Sequence, residues 1–266
     1  ISLWASFSYQ HLAKLPNTPV VDRKYSFVRY DYNQIFTPKY GKALGNFHKV
    51  WDEYLQGKRD RMNILHIGDS HLQADFFSDQ VRKHFKYEPH MGIAGRGFVF
   101  PHKMAKSYDP HTYHTSYSGS WSGSWATNFA KRDSWGISGM VTKTYDEDAR
   151  FTINPNKGNN NYRITRVKVF YNTKDRSSFQ VKLITPYEII SPQRIVADGY
   201  VEFLLKRPVN KVTIAMDRNR PEQRSFTLEG VSLENDQRGV VYHSAGANGA
   251  TVKSFLRSPR VANQVK

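Results

Sequence analysis

The hydrophobic period of this chain changes twice, and that change restricts the fold more than any single motif. In ALGNFHKVWDEYLQ (43–56), Leu44, Phe47, Trp51, Tyr54 and Leu55 recur at three- and four-residue spacing, which predicts one apolar stripe of a helix. MNILHI (62–67) reads as a short buried strand, and Phe77, Val81 and Phe85, four apart, as the next helix. Beyond GSWSGSW the pattern alternates: Val167, Val169 and Tyr171; Phe179, Val181 and Leu183; Val201, Phe203 and Leu205; Val212, Ile214 and Met216; then FTLEGVSL. Such a repeated period of two, broken by Asn, Pro, Gly and Asp, predicts an antiparallel β-sandwich. GVVYHSAGANGATVKSFL (239–256) then returns to the first style, with an apolar strand, a Gly-rich turn and a helix start at Thr251. The expected layout is an α/β fold interrupted by a β domain. It comprises an N-terminal extension (1–39), a core from 40–118 and 239–266 with MNILHI and VVYHSA as neighbouring parallel strands, and an insert at 119–238.

Composition narrows the chemistry. A chain of 266 residues with 39% hydrophobic content is large enough for a real core. Cysteine is absent, which excludes disulfides, thiolate nucleophiles and Cys-based zinc sites together. No run of ~18 apolar residues exists to span a membrane. The start, ISLWASFSYQ, lacks Met and a basic flank, so a mature or trimmed chain is expected. The net charge of +16 invites a nucleic-acid reading, but residues 119–238 hold 19 basic and 13 acidic side chains, so the charge is spread rather than clustered. Nucleic acid is therefore not an expected partner. Diffuse positive charge suits acidic polymers and anionic surfaces, an envelope polysaccharide among them.

In ILHIGDSHLQADFF (64–77), Gly68, Asp69, Ser70 and His71 follow an apolar strand directly. In an open α/β sheet, reactive groups gather at the carboxyl ends of strands, where backbone N–H groups can hold an oxyanion. Gly68 permits the tight turn, Asp69 hydrogen-bonds within it, and Ser70 presents its hydroxyl and its own N–H. The competing reading is that Asp69 or Ser70 simply caps the helix.

IGDSHLQAD, GIAGRGFVFP (92–101) and GVVYHSAGANGA (239–250) together resemble the SGNH/GDSL hydrolase superfamily, and within it the bacterial peptidoglycan O-acetylesterase type. That resemblance implies a three-layer, flavodoxin-like parallel-sheet core carrying an inserted, jelly-roll-like β-sandwich similar to a carbohydrate-binding module. Carried over by position, Ser70 matches the nucleophile, and Gly249 matches the glycine whose N–H joins Ser70 N–H in the oxyanion hole. Gly246 is a competing assignment, and Asn248 another alternative. The superfamily also keeps an Asp-x-x-His near its end, which this sequence lacks. A serine hydroxyl is a poor nucleophile until a base takes its proton. The resemblance thus implies that the C-terminal half of the core, with its Asn, Asp and His, is missing from this chain, and that the chain alone is inactive.

Asp69 and His71 are expected as supporting groups, and Arg96, Trp121 and Trp125 as candidate substrate contacts. Trp121, Trp125 and Trp135 have the alternative of covering the seam between the two parts, which their clustering at the junction favours. His66 falls within the strand, and Gly95 and Gly97 read as a turn. Asp109, His111 and His114 in DPHTYH are a conceivable metal set, though loop residues of this kind are more often solvated. No metal or organic cofactor is expected. The resulting expectation is a periplasmic or secreted serine esterase removing O-acetyl groups from an acetylated envelope polysaccharide, most of all peptidoglycan, with peripheral envelope association. The alternatives are an O-acetyltransferase of the same superfamily and a non-catalytic carbohydrate-binding protein with a degenerate hydrolase domain. Nothing in the sequence sets an oligomeric state.

Overall fold

The helical stripe read from residues 43–56 becomes α1 (Gly45–Leu55) in the computed structural model, which describes residues 25–27, 29 and 44–265. Tyr54 is buried in α1, whereas Leu44, Phe47 and Leu55 are exposed. Two compact units are distinguished, 1–49 and 50–266, and the expected extension 1–39 lies almost wholly outside the described residues. Next come β1 (Arg61–Gly68), α2 (Ser70–Ala74), α3 (Phe76–Tyr87), β2 (Gly95–Val99) and a 3₁₀ turn at His102–Ala105. The following strands are β3 (His114–Ser118), β4 (Ser122–Trp125), β5 (Met140–Thr144), β6 (Arg150–Asn154), β7 (Ile164–Phe170) and β8 (Gln180–Ile184). Then come β9 (Ile189–Ile190), β10 (Arg194–Val196), β11 (Tyr200–Val209), β12 (Val212–Asp217), β13 (Phe226–Leu228) and β14 (Gly230–Glu234). β15 (Gly239–Gly246), α4 (Val252–Leu256) and α5 (Val261–Gln264) complete the order.

The three-layer α/β core with a parallel, flavodoxin-like sheet is not what this chain forms. β1 and β15 do pair in parallel, Arg61 to Gly68 opposite Gly239 to Gly246, so MNILHI and VVYHSA are neighbours. That ladder stops at two strands among the described residues, and every other strand pairing is antiparallel. The cause lies in GIAGRG. Ile93 makes a single parallel bridge to Val240, beyond which Gly95 (φ 125°) and Gly97 (φ 77°) adopt backbone conformations that L side chains rarely enter. There the chain swings away, and β2 pairs antiparallel with β14. A Cβ on Gly95 would lie 2.5 Å from Glu234 Cα, and one on Gly97 would lie 2.7 Å from Tyr242 O. These glycines are not a plain turn. They let β2 pass close to both β14 and β15.

The alternating region does form the sandwich. Sheet order β10-β11-β7-β14-β2 lies opposite β3-β6-β12-β8-β9, with β13-β5-β4 as a third, shorter sheet. Val167, Val169, Phe179, Val181, Leu183, Val201, Phe203, Leu205, Val212, Ile214 and Met216 all belong to one buried apolar cluster, because side chains two apart share a strand face. Strand pairing runs across residue 119, since β2 and β3 join these sheets. Val81 and Phe85 of α3 pack with Tyr54, Met62, Val240 and Tyr242 against the parallel pair.

The expected division placed 239–266 with the first part. β15 pairs with β1, Arg257 at the end of α4 donates to Ala126 O and Lys131 O, and α5 packs on the sandwich. Arg260 pairs with Asp198 (2.6 Å) and Glu229, Gln264 Nε2 donates to Glu229, and Gln264 Oε1 accepts from Ile137 N–H (2.7 Å).

Beneath these elements lies a buried ionic cluster that alternation and periodicity do not reveal. Asp75 joins α2 to α3 in the left-handed conformation (φ 65°), and its carboxylate meets Arg82 (2.5 Å) and Arg96 (2.7 Å). Ser78 and Thr112 hydroxyls donate to the same carboxylate. Burial pushes the Asp75 carboxyl up, but the Arg96 and Arg82 guanidiniums outweigh it and hold it below the usual range. Asp75→Asn would leave two buried guanidiniums without their counter-charge, and urea unfolding should report a loss of about 3–5 kcal/mol. A loss under ~1 kcal/mol would show that water already screens the cluster.

His102 is buried with Nδ1 lacking a partner among the described residues, and burial lowers its imidazole from 6.5 to about 3. A folded-state value below the unfolded one means that the fold holds the neutral ring. Its contribution is complete above pH 6.5 and is lost as pH falls toward 3. Between pH 7 and pH 5 this group should cost about 2 kcal/mol of stability. His102→Gln should flatten the measured pH dependence by that amount; an unchanged slope would remove His102 as its source.

Candidate functional site

β1 ends at Gly68, and a sharp turn starts α2 at Ser70. Asp69 caps the helix, its Oδ1 accepting the His71 N–H at 3.0 Å. His71 Nδ1 lies 3.1 Å from the same oxygen, with the ring directed to solvent at 86% side-chain exposure. The hydrogen bonds from His71, backbone first and ring second, hold the Asp69 carboxyl below the ordinary range. Of the two residues named as possible caps, Asp69 caps the helix and Ser70 does not. Half-buried Ser70 makes no hydrogen bond through its hydroxyl among the described residues. It stands between two residues, Asp69 and His71, that line an open cleft of about 720 Å³. Phe77, Val252 and Phe255 give that cleft apolar lining, with Thr251 beside them.

His66, on the wall of the cleft, sits with Nδ1 2.5 Å from the Tyr242 hydroxyl, and burial lowers its affinity for a proton. Neither His66 nor His71 hydrogen-bonds Ser70. The sequence suggested Gly249, Gly246 and Asn248 as alternative oxyanion donors, and their surroundings differ. Gly249 is exposed, has φ 73° and has open space around a virtual Cβ. Gly246 sits opposite Gly68 in the ladder, where a Cβ would lie 2.3 Å from Gln73 N and 2.7 Å from Asp69 O. Its place is taken by the close approach of β15 to α2. Asn248 N–H is committed to Gln73 Oε1 at 2.7 Å. Thr251 starts α4 as expected, sharing a capping box with Ser254.

Three candidate contacts lie elsewhere. Arg96 is 2% exposed and spends its guanidinium on Asp75, so it faces no open cleft. Trp121 is buried at 8% exposure, donates Nε1–H to Ser118 O (3.0 Å) and packs edge-on against Phe151. Trp125 packs beside the cluster that contains Phe98 and Met140, and Trp135 is buried with Nε1 on Ser124 Oγ. Trp121 and Trp135 are buried in seams, and Trp125 is partly buried. In DPHTYH, Asp109 accepts the backbone N–H groups of Lys103 and Thr115, while His111 Nδ1 lies 3.0 Å from Ala74 O and its ring stacks on Phe76. No group of three metal-ligating side chains occurs among the described residues.

Gln73 was not foreseen. It is buried, donates to Ser107 Oγ (2.8 Å) and accepts from Asn248 N–H, tying α2 to two loops at once. Its only sequence signal is position, three residues beyond Ser70 on the inner side of a short helix.

No family model matches this sequence, and no curated protein matches it. Among solved structures, a peptidoglycan O-acetylesterase superposes with a TM-score of 0.54 at 21% identity, over 79% of this chain and 53% of that one. The chain therefore spans about half the length of that esterase, and the likeness is one of fold. A family 32 carbohydrate-binding module of AlyQ, in complex with 4,5-unsaturated mannuronic acid, is matched at TM-score 0.28 and 10% identity, over 45% of this chain and 92% of that one. The family 32 module of C. perfringens NanJ, in complex with galactose, is matched at 0.29 and 8%, over 52% and 97%.

The two glycines beside the turn should respond differently. Gly246→Ala drives a methyl group into backbone and should cost about 1–3 kcal/mol by overpacking. Gly249→Ala meets only the left-handed backbone and should cost about 1–2 kcal/mol while leaving α2 in place. Amide exchange at Leu72 and Gln73 separates them: faster exchange in Gly246→Ala alone is expected, and equal exchange in both variants would refute the assignment.

Proposed function

We propose that this chain carries the nucleophile of a serine esterase that removes O-acetyl groups from an envelope polysaccharide, with peptidoglycan as the substrate class. One observation carries the reading. The Ser70 hydroxyl, just past the carboxyl end of a parallel strand pair, has no hydrogen-bond partner among the described residues, and its chain neighbours Asp69 and His71 line an open cleft. The likeness in fold to a peptidoglycan O-acetylesterase supports it.

Ser70 Oγ would attack the acetyl carbonyl carbon while a base takes the hydroxyl proton. Ser70 N–H and Gly249 N–H are the proposed donors to the resulting oxyanion. Collapse breaks the ester bond, the sugar oxygen leaves with the proton, and acetyl-Ser70 remains until water releases acetate. His71 is oriented by Asp69 and His66 by Tyr242, and neither reaches Ser70 with a hydrogen bond, so the base is proposed to come from outside the described residues. The same observation favours a second reading, a carbohydrate-binding protein without catalysis.

Acetate release from O-acetylated peptidoglycan and from a chromogenic acetyl ester distinguishes the two. In protein that includes the base, Ser70→Ala should lower turnover by several orders of magnitude, on the order of 10³ or more, with the fold intact. Turnover retained in that variant would remove Ser70 from the mechanism. Residues 1–266 alone should hydrolyse slowly. Rapid hydrolysis by that chain, abolished by His71→Gln, would identify His71 as the base.

A further inference from the structure

A second cleft, of about 410 Å³, opens at the far end of α3, and no carboxylate is among the residues that line it. Its cations are Lys83, Lys86, Arg163 and Arg238, with Arg82 at the buried side. Lys83 is neutralised by Asp79 at 2.7 Å. For Lys86, Arg163 and Arg238 the partners found among the described residues are uncharged. Arg163 donates to Asn210 Oδ1 (3.1 Å) and Pro208 O (3.2 Å), Arg238 donates to Tyr54 O and lies over the Tyr54 ring at 4.2 Å, and Lys86 lies 5.6 Å from the Tyr87 ring. Asp236, though adjacent in sequence, is held by Thr165 and Arg166. Arg82 spends Nη2 on Asp75, while its buried Nε and Nη1 have no partner among the described residues. Buried guanidinium N–H groups normally have acceptors, so this cleft holds donors and positive charge in excess.

The remaining lining residues have a different chemistry. Asn159, Asn160 and Asn161 form one lip, and Tyr87, 75% exposed, stands on the other. Side-chain amides can both donate to and accept from hydroxyl groups, and an exposed aromatic face suits a sugar ring. The volume lies within the usual range for ligand sites. We propose that this cleft is a binding subsite for an anionic glycan, in which guanidinium groups receive sugar carboxylates, the Asn lip receives hydroxyls and Tyr87 supports a ring. The subsite does not involve Ser70, so it stands or falls apart from the esterase reading.

Titration calorimetry with tetragalacturonate and with its methyl ester, at low salt and at 0.5 M NaCl, tests it. The acid should bind at low salt, with the ester and the high-salt condition each weaker by about tenfold. Lys86→Glu/Arg163→Glu should weaken the acid by at least about tenfold with the urea midpoint unchanged, and Ser70→Ala should bind as the parent does. If the double variant fails to fold, the surface substitution Asn161→Asp should still weaken the acid about threefold. Three results would overturn the proposal: no binding of the acid, equal binding of acid and ester, or duplex DNA bound as tightly as the tetramer. Unaltered affinity in the cleft variants would also overturn it.

Discussion

Asp75, at the α2–α3 junction, is 1% exposed, yet three other parts of the chain meet its carboxylate, α3 through Ser78 and Arg82, β2 through Arg96 and the 107–113 loop through Thr112, and β15 joins through Ser244 on Ser78. A buried ion pair is a poor source of net stability, because removing the charges from water offsets most of their attraction. What such a cluster imposes is geometry. Each guanidinium has one carboxylate to satisfy, so α3 cannot slide along β15 and β2 cannot shift register without stranding a charge. The left-handed backbone at Asp75 ends α2 after five residues and sets the direction of α3. Ser70 owes its position to this arrangement. Its helix is too short to persist alone and is held from behind by Gln73 and Asp75.

The alternating strands were legible because a two-sided sheet writes its burial into every second residue, and Val167, Val169, Phe203 and Ile214 are buried as their spacing demands. The β1–β15 pairing and the start of α4 at Thr251 were legible for similar local reasons. The class of the first part was not. A run of apolar strand, glycine turn and helix describes one strand–helix unit equally well in a large parallel sheet and in a pair that stops at two strands. The deciding information sits in the φ angles of Gly95 and Gly97, and glycine in a sequence does not disclose which φ it will adopt.

At the site, the same division holds. Asp69, Ser70 and His71 were visible as a motif because they are consecutive, and the contacts within it run between Asp69 and His71. Arg96 was misread for a physical reason: an arginine between glycines looks solvent-facing until its partner is known, and Asp75 lies 21 residues away in sequence. The clustering of Trp121, Trp125 and Trp135 at the junction already favoured a seam over a sugar platform, and Trp121 and Trp135 are buried while Trp125 packs partly buried beside Phe98 and Met140. Gln73 escaped notice because a buried glutamine that joins two loops has no periodic signature.

Helix α3 gives the two clefts a common frame. Phe77 lines the cleft beside Ser70, while Lys83, Lys86 and Tyr87 line the basic one. Ten residues of helix separate Phe77 from Tyr87, roughly 15 Å along the axis. The Arg96–Asp75 contact ties the start of that helix to β2, and the Ser244–Ser78 contact ties it to β15. A monomeric ester gains nothing from such a frame. A polymer held at the basic cleft would have its neighbouring sugars confined near Ser70, raising their local concentration without any new contact to the nucleophile. On the two proposed readings taken together, the arrangement would favour long, charged chains over small esters, through the stiffness of one helix rather than through the shape of either cleft.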